Sequence, residues 1–156
     1  MLRSILLAED NEDDIFFFKA TARRLGWAYP IVIAPDGREA IAALTRFMDG
    51  DPGMTGLSLV LLDLKMPFVG GLEVLEWAHA RPELRFLPRC VLSSSEQESD
   101  IESAYRFGAA SFLVKPSQPE GLAELLRVTE AYWLKHNRLP VIATDRAATA
   151  ASGTAA

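Results

Sequence analysis

The stretch Leu59-Val60-Leu61-Leu62-Asp63-Leu64-Lys65-Met66-Pro67, with Gly70-Gly71 close behind it, decides the fold. A continuous apolar run this short, bounded by turn formers, reads as a strand buried on both faces, as in the middle of a parallel sheet. The run stops at one carboxylate, Asp63, which is therefore carried to the end of a rigid strand. Pro67 fixes the backbone and Gly70-Gly71 frees it, so the loop after Asp63 is shaped before a new helical pattern begins. In open α/β sheets, ligands bind at strand ends of this kind.

Upstream, Ile5 to Ala8 is a short strand that runs into Glu9-Asp10-Asn11-Glu12-Asp13-Asp14, an acidic loop that also suits a helix N-terminus. The helix that follows puts Ile15, Phe18, Ala22 and Leu25 on one stripe and closes at Gly26, with Phe16 and Phe17 off that stripe. Ile31-Val32-Ile33 is the second strand. Asp36-Gly37 opens a helix bearing Ala40, Ile41, Leu44 and Phe47, and the Gly-rich Asp49 to Gly56 segment reads as an irregular surface loop.

Downstream, Leu72, Val74, Leu75 and Ala78 mark a helix that ends before Pro82. Cys90-Val91-Leu92 ends in Ser93-Ser94-Ser95, and a helix over about 97–107 stops at Gly108. Ser111 to Val114 ends in Lys115-Pro116, and a last helix over about 120–135 follows. This alternation of strand and helix predicts parallel βαβ units, hence a doubly wound α/β domain over residues 1–138. Residues 139–156 are Ala/Thr/Ser-rich and are expected to form a disordered tail.

At 156 residues the chain suffices for one domain with a core, not two. Its formal net charge of −5 and the absence of a Lys/Arg block argue against nucleic acid as a partner. The single cysteine, Cys90, excludes an internal disulfide and a Cys/His metal set. With no signal-like or membrane-spanning run at the N-terminus, a soluble cytoplasmic protein is expected.

In a parallel sheet the strand ends meet along one edge, which assembles Glu9-Asp10, Asp63, Ser93 and Lys115. Two carboxylates about 5 Å apart repel by roughly 3 kcal/mol at an effective dielectric near 20, so the cluster calls for a cation. A hard divalent ion with oxygen ligands meets that need, and Mg²⁺ is the expected one. With Mg²⁺ and Lys115 in place the formal charges of the three carboxylates cancel. The site could then receive a phosphoryl group, since phosphoryl transfer asks for an in-line nucleophile and groups that hold its oxygens.

Ala8-Glu9-Asp10-Asn11, Leu62-Asp63-Leu64-Lys65-Met66-Pro67, Ser93-Ser94 and Val114-Lys115-Pro116 resemble the signature set of receiver domains of two-component response regulators. The resemblance covers about 4–136 and implies a five-stranded flavodoxin-like (βα)5 fold of strand order 2-1-3-4-5. It implies Asp63 as phosphoacceptor, and Asp10, Asp63 and the Lys65 carbonyl as metal ligands, with Glu9 as a direct or outer-sphere partner of the metal. It further implies Ser93 and Phe112 as switch residues, and Lys115 as an ion pair to the phosphoryl group, with a cis Lys115-Pro116 bond. The implied partner is a sensor histidine kinase. The Asp51 to Gly56 loop, Tyr132-Trp133-Leu134 and Leu139-Pro140 further resemble stand-alone regulators that accompany phytochrome-type kinases, which implies a homodimer through the last helix and strand. With no output domain expected, the signal would leave by protein contacts, and the chain would not be an enzyme beyond its own phosphorylation and dephosphorylation.

Each motif alone has a plainer reading: Asp10 to Asp14 as a helix cap, Asp63 as a turn residue, Ser93 to Ser95 as a solvated loop, Lys115-Pro116 as a turn. Their joint occurrence in order at four strand ends weighs against coincidence. His79 and His136 lack partners at ligand spacing, and Cys90 fits a core. Phe17 is expected to help dock the kinase. A haloacid dehalogenase-type phosphatase would place a second Asp two residues after the nucleophile, where Lys65 stands. In a flavodoxin-like binding protein, Glu9 to Asp14 would repel the flavin phosphate.

Overall fold

The computed structural model describes residues 2–140. Residues 141–156, most of the expected tail, lie outside the described residues.

Five strands form one parallel sheet: β1 (Ser4–Ala8), β2 (Ile31–Ala34), β3 (Leu57–Leu62), β4 (Arg89–Ser93) and β5 (Ser111–Val114), in spatial order β2-β1-β3-β4-β5. The helices are α1 (Glu12–Arg24), α2 (Gly37–Met48), α3 (Gly71–His79), α4 (Glu98–Arg106) and α5 (Pro119–Thr129). Fold class and strand order are as expected from the sequence.

Successive strand residues point to opposite faces, and the apolar strands supply two cores from one sheet. Leu6, Ala8, Val60, Leu62 and Val91 face α2, α3 and α4, against Ala40, Leu44, Phe47, Val74, Leu75 and Ala104. Ile5, Leu7, Leu59, Leu61, Cys90 and Leu92 face α1 and α5, against Phe18, Ala22 and Leu126. Each fully buried Leu or Ile contributes about 1.5–3 kcal/mol, so a polar residue in β3 would damage whichever of the two layers it faces.

Three local expectations are corrected. The last helix does not run uniformly: after Thr129 it widens into a π-helix over Glu130–His136. The Thr129 hydroxyl donates to the Leu125 carbonyl at 2.7 Å, a back-bond that competes with the regular ladder at the point where the helix widens. Arg3 clamps the far end of that segment by donating to the carbonyls of Trp133 at 3.2 Å, Leu134 at 2.6 Å and Asn137 at 3.2 Å. The Asp49 to Gly56 segment is not wholly superficial, because a 3-10 turn over Pro52–Met54 drives Met54 into the core. Finally, the Lys115–Pro116 bond is trans, there being no cis peptide among the described residues. An X–Pro bond prefers trans by only about 0.5–1 kcal/mol, so its setting decides, and here Pro116 is packed against Gly121.

Candidate active site

Parallel pairing brings the strand ends into one pocket. The Asp63 N–H donates to the Ala8 carbonyl at 2.9 Å, and the Glu9 N–H donates to the Ala34 carbonyl at 3.0 Å, so both acidic residues leave their strands in register. Glu9 and Asp63 are buried and Asp10 is exposed. Carboxylate oxygens of Glu9, Asp10 and Asp63 lie within 4.8 Å of one another, which makes them a candidate metal site. Three hard oxygen donors that close, open to solvent on the Asp10 side, fit a divalent cation that keeps part of its water shell. Lys65 is exposed, and its carbonyl accepts no hydrogen bond among the described residues, leaving it available as a further oxygen ligand.

Lys115 reaches across from the end of β5. Its Nζ donates to Glu9 Oε2 at 2.5 Å, Asp14 Oδ2 at 2.9 Å and Asp63 Oδ2 at 3.2 Å. Asp14 is a member of the site that the sequence reading left among the capping acids. Its signal was present: it stands four residues before Phe18, so it lies on the inward stripe of α1, and the Asn11 side chain fixes the start of that helix by accepting from the Asp14 N–H at 3.0 Å.

The electrostatics state the need for a cation. Burial pushes the Glu9 carboxyl up to about 7, against the opposing pull of the Lys115 and Asn11 hydrogen bonds, and the nearby Asp63 charge adds to the rise. Burial disfavours the Lys115 ammonium, but its hydrogen bonds to Glu9 and Asp14 and the charge of Asp63 outweigh that and hold it well above the ordinary lysine range. One ammonium thus meets three carboxylates, and Asp10 adds a fourth to the group, so by formal charge even a divalent ion leaves the cluster at −1 rather than at the balance that three carboxylates would give.

Ser93 is buried at the end of β4, its hydroxyl accepting from the Ser95 N–H at 3.2 Å. Its carbonyl, not its hydroxyl, meets Lys115, accepting from that residue's N–H at 2.8 Å. The Ser95 hydroxyl donates to Asp100 at 2.6 Å and ties the loop to α4. Phe112 is half-buried against the α2–α3–α4 core, beside Val91 in register. Phe17 is 55% exposed and lines, with Phe18, Lys115, Pro116 and Leu122, a cavity of about 400 Å³ between α1 and the start of α5.

The loop after Asp63 is held by close backbone packing. A Cβ on Gly71 would stand 2.1 Å from the Asp63 carbonyl oxygen, and one on Gly37 would stand 2.0 Å from that of Val69. Between them Phe68 adopts φ +64°, a left-handed conformation costly for a bulky side chain, with the Arg38 guanidinium 3.5 Å from its ring centroid.

The family model described as the response regulator receiver domain matches residues 5–127. A probable methanogenesis regulatory protein, FilR2 of Methanothrix harundinacea, is 36% identical over 136 residues, 87% of this chain and 86% of its own. The Mn²⁺-bound structure of the response regulator Rcp1, a protein known from Synechocystis, superposes with TM-score 0.77 at 28% identity, covering 88% of this chain and 99% of that one. The phosphorylated cyanobacterial phytochrome response regulator RcpA superposes with TM-score 0.80 at 30% identity, covering 90% and 99%.

Proposed function

The chain belongs to the response regulator receiver domain family, and from that premise we propose that Asp63 is its phosphoacceptor in a relay fed by a sensor histidine kinase of phytochrome type. The observation that carries this reading is the convergence of Asp63 and Lys115 at 3.2 Å among carboxylates from the ends of β1 and β3 and the first turn of α1. A phosphoryl group on a histidine nitrogen is attacked by a carboxylate oxygen of Asp63. The new O–P bond forms as the N–P bond breaks, leaving an acyl phosphate here and an imidazole on the kinase.

Glu9, Asp10, Asp63 and the Lys65 carbonyl would hold Mg²⁺, which when bound neutralises phosphoryl and carboxylate oxygens. The ion in the related Rcp1 structure is Mn²⁺, of the same hard-oxygen preference. Lys115 is already aimed at Asp63 and would pair with a phosphoryl oxygen. The Ser93 hydroxyl would leave its bond to the Ser95 N–H to reach another, and Phe112, across the strand, would repack behind it. The output is a contact surface, with a homodimer through α5 and β5 as its form, in the cytoplasm. Among the described residues no helix is long and apolar enough to cross a membrane. Beyond self-phosphorylation and self-dephosphorylation the chain would turn over no substrate.

The test is intact mass after incubation with acetyl phosphate, with and without Mg²⁺, for the wild type and Asp63→Asn. A gain of one phosphoryl group that needs both Mg²⁺ and Asp63 is expected. No gain in folded protein would overturn the reading and leave a receiver-shaped scaffold that signals without phosphate.

A further inference from the structure

At the opposite end of the sheet from Asp63 lies a second concavity of about 330 Å³, lined by Arg85, Phe86, Arg89, Trp133, Asn137 and Arg138 among others. Three arginines and no acidic residue line it. That is unusual for a chain of net charge −5, whose general surface repels anions.

The buried arginine of this lining is Arg89, the first residue of β4 and only 6% exposed. Its Nη1 donates to the carbonyls of Leu84 at 2.6 Å and Leu87 at 3.1 Å, which orients the guanidinium. Its Nε is buried without a hydrogen-bond partner. Among the described residues no carboxylate lies within ion-pair distance of Arg89, Arg85 or Arg138. A buried charge is ordinarily paired, and here the protein supplies dipoles only. Arg85 and Arg138 are exposed at the rim, from the turn before β4 and from the residues after the π-helix.

We propose that this concavity binds a small diphosphate-class anion. Guanidinium forks match tetrahedral phosphoryl oxygens, and two exposed arginines at one opening with a third, buried arginine beneath suit an anion of several charges rather than a single carboxylate. Arg89 gives the site a fixed, desolvated floor, while Arg85 and Arg138 close on the ligand from two separate segments.

The test is calorimetric titration of the full chain with sodium pyrophosphate at low ionic strength, with EDTA present so that binding through a metal at the Asp63 end is excluded. Saturable one-to-one binding is expected. It should weaken at least tenfold in Arg85→Gln/Arg138→Gln, which changes only exposed side chains, and should be unchanged in Asp63→Asn and in Arg81→Gln, whose guanidinium lies over Trp77 outside the concavity. Arg89→Gln should abolish binding, and the rim variants keep the test decisive if that protein fails to fold. Absence of saturable binding, equal affinity in the rim double variant, or an equal loss in Arg81→Gln would overturn the proposal.

Discussion

Replacing Gly71 by alanine puts the geometry of the phosphorylation site to a quantitative test. The added Cβ would meet the Asp63 carbonyl oxygen at 2.1 Å, Leu64 Cα at 2.7 Å and the Asp63 carbonyl carbon at 2.9 Å, all backbone atoms that no rotamer change can move aside. To restore ordinary contact, the strand end must retreat by about 1 Å, and Asp63 goes with it. Overpacking of this sort costs about 1–3 kcal/mol, or roughly 1 M in the urea midpoint, and a 1 Å misplacement of a reacting group can cost about a hundredfold in rate. The neighbouring Gly70 is the internal control. Its Cβ would find nothing closer than the Leu64 carbonyl oxygen at 3.4 Å, so Gly70→Ala should stay within about 0.5 kcal/mol of wild type, the entropic gain offsetting the weaker N-cap. Urea unfolding beside the rate of acetyl phosphate labelling measures both quantities. Gly71→Ala with wild-type stability and labelling rate would refute the claim that the glycine sets the position of Asp63.

Two further outcomes are expected. Lys115→Ala should leave Glu9, Asp14 and Asp63 without their shared cation, so Mg²⁺ should raise its melting temperature by more than it raises that of the wild type; equal shifts by calorimetry would mean that Lys115 and the ion do not serve the same carboxylates. Phe17→Ala should slow transfer from the cognate kinase by about 5–30-fold while leaving acetyl phosphate labelling intact, because the ring is exposed beside Lys115 without touching the acceptor; slowing of both reactions would assign Phe17 to the site itself.

The strands and the residues at their ends were legible because each is a local pattern: a short apolar run, then a charged or hydroxyl residue, then a breaker. Asp14 was harder, since a carboxylate in the first turn of a helix satisfies capping and the helix dipole whether or not a lysine waits across the sheet. The resting bond of the Ser93 hydroxyl to the Ser95 N–H follows from how the loop folds back, which the Ser93-Ser94-Ser95 run does not specify. The π-helix after Thr129 and the burial of Met54 likewise depend on packing against distant segments, not on periodicity. The trans Lys115–Pro116 bond departs from what family resemblance implied, at a peptide whose two forms differ little in energy.

The two strands at the borders of the sheet, β2 and β5, have four residues each, against five, six and five for the three between them. So short a border offers few free amides and carbonyls on which a foreign strand could template itself. A dimer that uses β5 would therefore be held by side chains of β5 and α5, where recognition can be written residue by residue, rather than by ribbon-to-ribbon extension, which is indiscriminate. A module built this way can be crowded beside many close copies of its own architecture and still choose among them.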